Sequence, residues 1–218
     1  EVGEALRFAN QHGFHFVVSG GRTGLVEAQR PQGEVVLSLE RLRRVLAFAL
    51  ADGRSCSLEA AKDLDATRDH LFGWWTGLGR PSLDGSTVTV EAGLAVDALN
   101  EVLAPLGRMF PMEMGSTASA SIGACVANAS AGANAVCYGT AAHMAAAAWG
   151  FWGTGEAAGP CAAEPWSTPD VETLAIDSTR LPASWGMVGS QGVFGLITRV
   201  ELRTQATPQS REAVLEAG

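Results

Sequence analysis

Apolar residues at Val2, Leu6, Phe8 and Ala9 recur at helical spacing through residues 1–12, and Gly13 supplies a stop. Residues 14–18 then read as a short buried strand that runs into Ser19, Gly20 and Gly21. A helix, a strand and a glycine turn in this order put a loop at the carboxyl end of a strand, where ligands of α/β units gather. Residues 34–39 (EVVLSL) and 45–49 are further strand candidates, and LERLRRV (39–45) is predicted as a short helix between them. On that helix Leu39, Leu42 and Val45 would face inward and Arg41, Arg43 and Arg44 would form a solvated face. Residues 86–92 (STVTVEA) alternate as a strand, and 96–106 (VDALNEVLAPL) form an amphipathic helix. The alanines of MAAAAWGF (144–151) suit helix or strand. Residues 189–204 are a glycine turn feeding a strand in which Leu196, Thr198, Val200 and Leu202 alternate with Ile197, Arg199 and Glu201. The polar tail from Gln205 is expected to start a helix.

Three stretches break this rhythm. Residues 53–85 mix charges, glycines, Trp74 and Trp75, and read as an insertion: part helix (LEAAKDLDATRDHLF), part loop. The tryptophans are expected to cover the core rather than line a mouth. Residues 112–142 (MEMGSTASASIGACVANASAGANAVCYGTAA) offer almost no large side chain, so the segment presents backbone. Residues 156–170 read as a loop rich in Gly, Ala and Pro.

Composition narrows the function classes. The 218 residues are 47% hydrophobic with a formal net charge of -8, as expected for a folded protein of one or two domains. Its Lys and Arg are scattered, which argues against a nucleic-acid partner. No apolar run reaches the roughly 18 residues of a membrane span, and EVGEALRFANQHG lacks a signal-peptide pattern. A soluble, cytoplasmic protein is expected. Cys56, Cys125, Cys137 and Cys161 lack CxxC spacing, and His12, His15, His70 and His143 lack HxxxH or HxH spacing, so free thiols and no metal are expected.

The candidate chemistry lies in glycine-rich loops. Residues 19–24 (SGGRTG) are able to point several main-chain N–H groups into one concavity, a nest for a phosphate or pyrophosphate, but match neither a Walker A loop nor the Rossmann spacing. A plain tight turn reads equally well. Residues 115–132 join Ser116, Thr117, Ser119, Ser121 and Asn128 with Gly123. A helix starting near Ala118 would aim N–H groups and hydroxyls at an anion or a planar ring; the alternative is a small-residue helix packed close to its neighbour. Residues 189–195 form the third loop. An extended ligand with phosphates in the middle and rings at its ends would account for all three.

SGGRTGL (19–25), VTVEAGL (88–94), PMEMGSTASASIGACVANASAG (111–132), YGT (138–140) and GSQGVFGLITRVELR (189–203) stand in an order and wording that resembles the FAD-binding domain of the vanillyl-alcohol oxidase, or PCMH, superfamily. The likeness covers the chain except about residues 53–85 and 155–175. Within the superfamily it is most similar to FAD-linked oxidases of the D-lactate dehydrogenase, glycolate oxidase and D-2-hydroxyglutarate dehydrogenase type. The resemblance implies an α+β (α/β) fold of two subdomains, mixed sheets flanked by helices, with FAD between them. Subdomains at 1–52 and 86–205, the insertion at 53–85, and a linker at 206–218 towards an absent cap domain follow from it. It implies that Gly20, Gly21, Arg22, Thr23 and Gly24 cradle the pyrophosphate. Gly115, Ser116, Ser121, Ile122, Gly123, Cys125 and Asn128 would line the flavin and its ribityl chain. Gly192, Gly195 and Ile197 would sit by the dinucleotide, with Ile197 near the adenine.

The departures from the family carry information. Relatives commonly read Arg-Gly-Gly-Gly where this chain has Ser19, Gly20, Gly21 and Arg22, so a side chain stands at a glycine position, reaching either a phosphate or solvent. Covalent members carry a His in this loop; none is present, so FAD is expected to be non-covalent. Gly123, Ala124 and Cys125 replace Gly-Gly-Asn, and GSQG replaces GSEG, which lowers the expected FAD affinity. Nothing matches the cap domain that supplies substrate-binding groups, so the chain is expected to be a fragment or a flavin subunit with a partner. The expected activity is oxidation of a small 2-hydroxy acid such as D-lactate, glycolate or 2-hydroxyglutarate, by hydride transfer to flavin. The alternative is a non-catalytic or degenerate FAD-binding module. No catalytic acid or base is assigned, and His143 and Tyr138 are expected to pack.

Overall fold

Gly13 ends the first helix as its position predicts. It adopts the left-handed conformation (φ 71°) and its N–H donates to the Ala9 carbonyl, closing α1 (Val2–His12), whose Gly3, Leu6 and Ala9 face inward. The computed structural model describes residues 1–25, 30–162 and 186–209. After α1, β1 (Phe16–Ser19) pairs in parallel with β2 (Val35–Ser38), Phe16 opposite Val35 and Ser19 opposite Ser38. β1 starts later than the apolar pattern implies. The Phe14 N–H is spent on the Ala9 carbonyl, and the Phe14 ring lies outside against Phe8.

The chain continues through β3 (Val45–Ala49), β4 (Ser55–Ser57), α2 (Leu64–Gly77), β5 (Thr87–Glu91) and α3 (Val96–Leu103). A short 3-10 turn (Ala104–Leu106) leads to β6 (Arg108–Met109) and three short helices: α4 (Ile122–Ala127), α5 (Ala135–Tyr138) and α6 (Ala141–Met144). β7 (Ala145–Trp152), β8 (Ala157–Ala162), β9 (Gly195–Arg203) and β10 (Gln205–Ala206) follow. Six strands form one antiparallel sheet in the order β4-β3-β5-β9-β7-β8, and β10 pairs with β6. Val88 and Val90 of β5, Val200 and Leu202 of β9 and Phe48 of β3 are fully buried, with Leu71 of α2 and Leu99 and Leu103 of α3 in the same core. The alternation of apolar residues in these strands reflects a sheet with one face on the core.

α1 docks on the β7–β8 hairpin. Arg7 Nη1 donates to the Gly155 carbonyl and Asn10 Nδ2 to that of Gly153, each at 2.8 Å. A buried polar knot holds the other end of the sheet: Arg108 donates to the Thr204 hydroxyl and carbonyl, and Ser86 and Thr204 share a hydroxyl bond of 2.6 Å.

Four local expectations are corrected. Residues 39–45 turn rather than form a helix, because their main chain is used elsewhere: Leu39 N–H donates to Ser19, and the Leu42 carbonyl accepts from Gly93. The helix placed at LEAAKDLDATRDHLF begins only at Leu64, where the Asp63 carboxylate accepts from Ala66 N–H at 2.8 Å and caps it. Just before it, Ser55–Ser57 adds the edge strand β4 to β3. Residues 157–162 of the supposed loop are strand β8, and the tail from Gln205 begins as strand β10, not a helix. The rest of the 156–170 loop, from 163 on, and residues 210–218 lie outside the described residues. The alanine run resolves as strand β7, whose Gly150 backs directly on the Leu196 carbonyl of β9. Trp74 meets the Phe48 ring edge-on at 6.4 Å, and Trp75 Nε1 donates to Pro81, so both serve packing as expected.

Phe48 is wholly buried whereas Phe194 is 60% exposed. Phe48→Ala is expected to lower unfolding stability by about 3–5 kcal/mol, and Phe194→Ala to change it by less than about 0.5 kcal/mol, both read from urea denaturation.

Candidate functional site

The three glycine-rich loops meet on α4. β1 delivers Gly20 and Gly21 against the segment that precedes the helix: a Cβ on Gly20 would overlap Ser121 Oγ, and one on Gly21 would overlap the Ser119 carbonyl oxygen. Gly21 N–H donates to Ser121 Oγ at 3.3 Å. What approaches the bare backbone here is another loop of the same protein. The third loop closes on the far end of α4, where Gly189 N–H donates to the Val126 carbonyl and Gln191 N–H to that of Ala127. These donors satisfy carbonyls that a helix terminus leaves open.

α4 starts at Ile122 with Ser121 as its cap residue, not near Ala118. Its first N–H groups are already used: Ile122 donates to Leu94 and Gly123 to Ala92, at 2.9 and 2.8 Å. They therefore do not point at an anion, which corrects that part of the expectation. The close-packing alternative describes Gly123, since a Cβ there would overlap Ala92. The Ala92–Leu94 turn is in turn fixed by Glu91, a buried carboxylate that accepts from Arg44 N–H at 2.9 Å, Nη2 at 2.8 Å and Nε at 3.2 Å. This contact raises the Arg44 pKa, chiefly through the hydrogen bond to Glu91.

Between the loops runs a groove in two parts that share a stretch of wall. The wider part, about 410 Å³, is lined by Gly20, Arg22, Thr23, Gly24, Ser116, Ser121, Cys125 and Asn128, with Ser130 and Gln191. The narrower part, about 80 Å³, adds Gly123, Gly192, Gly195 and Ile197 to an apolar wall of Leu39, Ala92 and Leu196. Val18, Gly20, Ser121, Ala124, Asn128 and Gln191 line both. Of the expected site residues, Gly21 stands behind the wall as a packing contact, Gly115 is exposed, and Ile122 is fully buried in the core. Gln191 and Ala124 are wall residues that the motif reading passed over. Both carried a signal, since each stands at a departure from the family motifs: Gln191 in GSQG and Ala124 between Gly123 and Cys125.

The walls share a charge pattern. Among the described residues no carboxylate lines either part, and Arg22 is the one charged side chain. The chain as a whole has 23 Asp and Glu against 15 Lys and Arg. Backbone strain gathers here as well: Arg22 (φ 56°), Ala129 (φ 46°) and Gln191 (φ 57°) are left-handed without being glycine. A larger open cleft of about 670 Å³, lined by Glu40, Arg43, Lys62, Asp63, Asp65 and Glu101 among others, shares no lining residue with the groove. It mixes both signs of charge and receives none of the glycine loops. His143 lies apart from the groove walls, and its Nδ1 accepts from Thr140 N–H as part of the α6 cap. No three His, Cys, Asp or Glu residues cluster as metal ligands among the described residues. No helix there is long and apolar enough to cross a membrane.

Cys125 is buried in the groove wall, and burial pushes its thiol from 9.0 up to about 11 against a weaker opposing hydrogen bond with Ser130. The folded value exceeds the unfolded one. Its stability contribution is therefore complete below pH 9 and lost as pH rises through 11. Between pH 8 and 11 the native chain should lose about 2–3 kcal/mol more stability than Cys125→Ala, measured by urea denaturation at each pH. Separately, Gly21→Ala should cost roughly 1–3 kcal/mol by forcing the loops apart. Gly115→Ala, with open space around it, should fall within about 1 kcal/mol of native.

Comparison with known proteins identifies the family and the fold. A family model described as "FAD binding domain" matches residues 1–82 and 76–156. The chain is 26% identical over 224 residues to a D-2-hydroxyglutarate dehydrogenase of Xanthomonas citri pv. viticola, an alignment covering 100% of this chain and 37% of that protein. It is 27% identical over 210 residues to a mitochondrial D-lactate dehydrogenase (cytochrome) of Arabidopsis thaliana, covering 96% and 29%. The chain thus spans about a third of the length of these relatives. Among solved structures, an alkyldihydroxyacetonephosphate synthase superposes with TM-score 0.62 at 16% identity, over 96% of this chain and 33% of that one. The 6-hydroxy-D-nicotine oxidase of Arthrobacter nicotinovorans gives TM-score 0.62 at 18% identity, over 94% and 34%. These likenesses show that the expected FAD-binding-domain fold is present.

Proposed function

The chain belongs to the FAD binding domain family, and from that premise we propose that the groove on α4 holds a non-covalent FAD and forms the cofactor-binding part of an oxidoreductase for a small 2-hydroxy acid. The observation that carries this reading is the groove itself: free of carboxylates among its described walls, rich in hydroxyls and glycine backbone, and bearing Arg22, within an acidic protein. Such a wall suits an anionic diphosphate. The narrower part, with Leu39, Ala92, Leu196 and Ile197, suits a ring.

The residues divide the work. Gly20, Arg22, Thr23 and Gly24 would hold the diphosphate; Ser116, Ser121, Cys125 and Asn128 would hold the flavin and its ribityl chain; Gly192, Gly195 and Ile197 would hold the adenine end. Gly21 and Gly123 set how closely these walls approach, and Ile122 anchors α4 in the core. When bound, the flavin supplies the hydride acceptor, and the protein binds and orients it. Non-covalent attachment is supported by a first loop without His or Cys, and by the protonated Cys125 thiol, a poor nucleophile at neutral pH. Among the described wall residues none is an acid or base placed to take a substrate proton, so that task, and substrate binding, fall to a cap domain or partner subunit. D-lactate, glycolate and 2-hydroxyglutarate are the candidate substrates, and the first and last of these stand in the names of the relatives.

The purified chain mixed with FAD and freed of excess cofactor is expected to show flavin absorption bands, and acid precipitation should release them to the supernatant. Bands that stay with the pellet would contradict non-covalent binding, and a colourless protein would contradict the cofactor.

A further inference from the structure

Arg22 occupies a backbone conformation that disfavours it. At φ 56° it lies in the left-handed region, at a cost of about 1 kcal/mol for a residue other than Gly, Asn or Asp. An arginine kept there on the wall of a groove points to a task for its side chain. Its Nε donates to Ser19 Oγ at 3.1 Å and lies 3.8 Å from Glu40 Oε1. The side chains of Arg22 and Glu40 are 62% and 54% exposed, so the ion pair is loose and easily exchanged. The two residues belong to different cavities: Arg22 to the groove, Glu40 to the separate charged cleft. Arg22 therefore stands at the boundary, with an acid on one side and a carboxylate-free groove on the other.

We propose that Arg22 and Glu40 form a displaceable latch for the diphosphate of the ligand. With no anion in the groove, the guanidinium rests on Ser19 and Glu40. An entering diphosphate takes the guanidinium from the Glu40 carboxylate, because it offers more charge and paired acceptor oxygens to a planar fork. Glu40 is then a built-in competitor. It lowers affinity for any ligand that cannot outbid a carboxylate, and so selects nucleoside diphosphates over neutral ring compounds. No proton or covalent bond changes hands. The proposal rests on the reading of the groove as a dinucleotide site, but needs only its diphosphate.

The test is calorimetric titration of the 218-residue chain with FAD, ADP and riboflavin at 50 and 300 mM salt, using the native protein, Arg22→Asn and Glu40→Gln. Asparagine tolerates the left-handed turn, and urea denaturation verifies that each variant is folded. Arg22→Asn should weaken FAD and ADP about tenfold, flatten their salt dependence and leave riboflavin unchanged. Glu40→Gln should tighten FAD and ADP about two- to threefold. The latch is overturned if Arg22→Asn leaves FAD and ADP affinity unchanged, or if Glu40→Gln fails to tighten them. The outcomes separate it from the flavin reading. Native protein that ignores FAD but binds ADP under control of Arg22 and Glu40 would retain the latch and discard the flavin. FAD uptake indifferent to both residues would do the reverse, and binding of neither ligand would remove both.

Discussion

Among the described glycines, Gly21 leaves the least room for a side chain, its main chain lying against the Ser119 carbonyl, and the groove depends on it. No side chain fits between them, so β1 and the segment leading into α4 lie backbone to backbone. The contact fixes the distance between the wall carried by β1 and the wall carried by α4. From there the constraint spreads along a six-residue helix. Its start is tied to the Ala92–Leu94 turn, and its end to Gly189 and Gln191. α4 is too short to be stable by itself. Its stability comes from neighbours on all sides, which is why small residues fill it and why three distant loops converge on it.

Charge acts on top of this geometry. A protein of net charge -8 repels anions in general. The groove is an exception built from position, since none of its described wall residues is acidic. Glu91, the nearest buried carboxylate in sequence, is turned onto Arg44 by three hydrogen bonds and so holds the Leu39–Gly93 contact behind the wall. Glu40 faces the other cleft.

Much of this was legible in the sequence, and for identifiable reasons. α1 and its Gly13 cap, the alternation in β5 and β9, and the small-residue segment around α4 carry periodicity or turn chemistry that acts locally. The family motifs placed the walls, and most of the named residues line them. What the sequence hid was set by distant partners. Residues 39–45 have a helical pattern, but their main chain bonds to Ser19 and Gly93. AAAAWGF (145–151) is a strand because β8 and β9 flank it on both sides. β4 spans three residues, too few to show an alternation. Gly21 read as ligand contact but packs against Ser119, a distinction that no spacing of glycines can express.

One ligand is expected to engage all three loops at once. Hydrogen–deuterium exchange of the chain with and without FAD tests this most directly. Simultaneous added protection in residues 19–24, 116–128 and 189–197, with α2 and the cleft beside Lys62 unchanged, is the predicted result. Protection confined to one loop, or centred on the charged cleft, would contradict it.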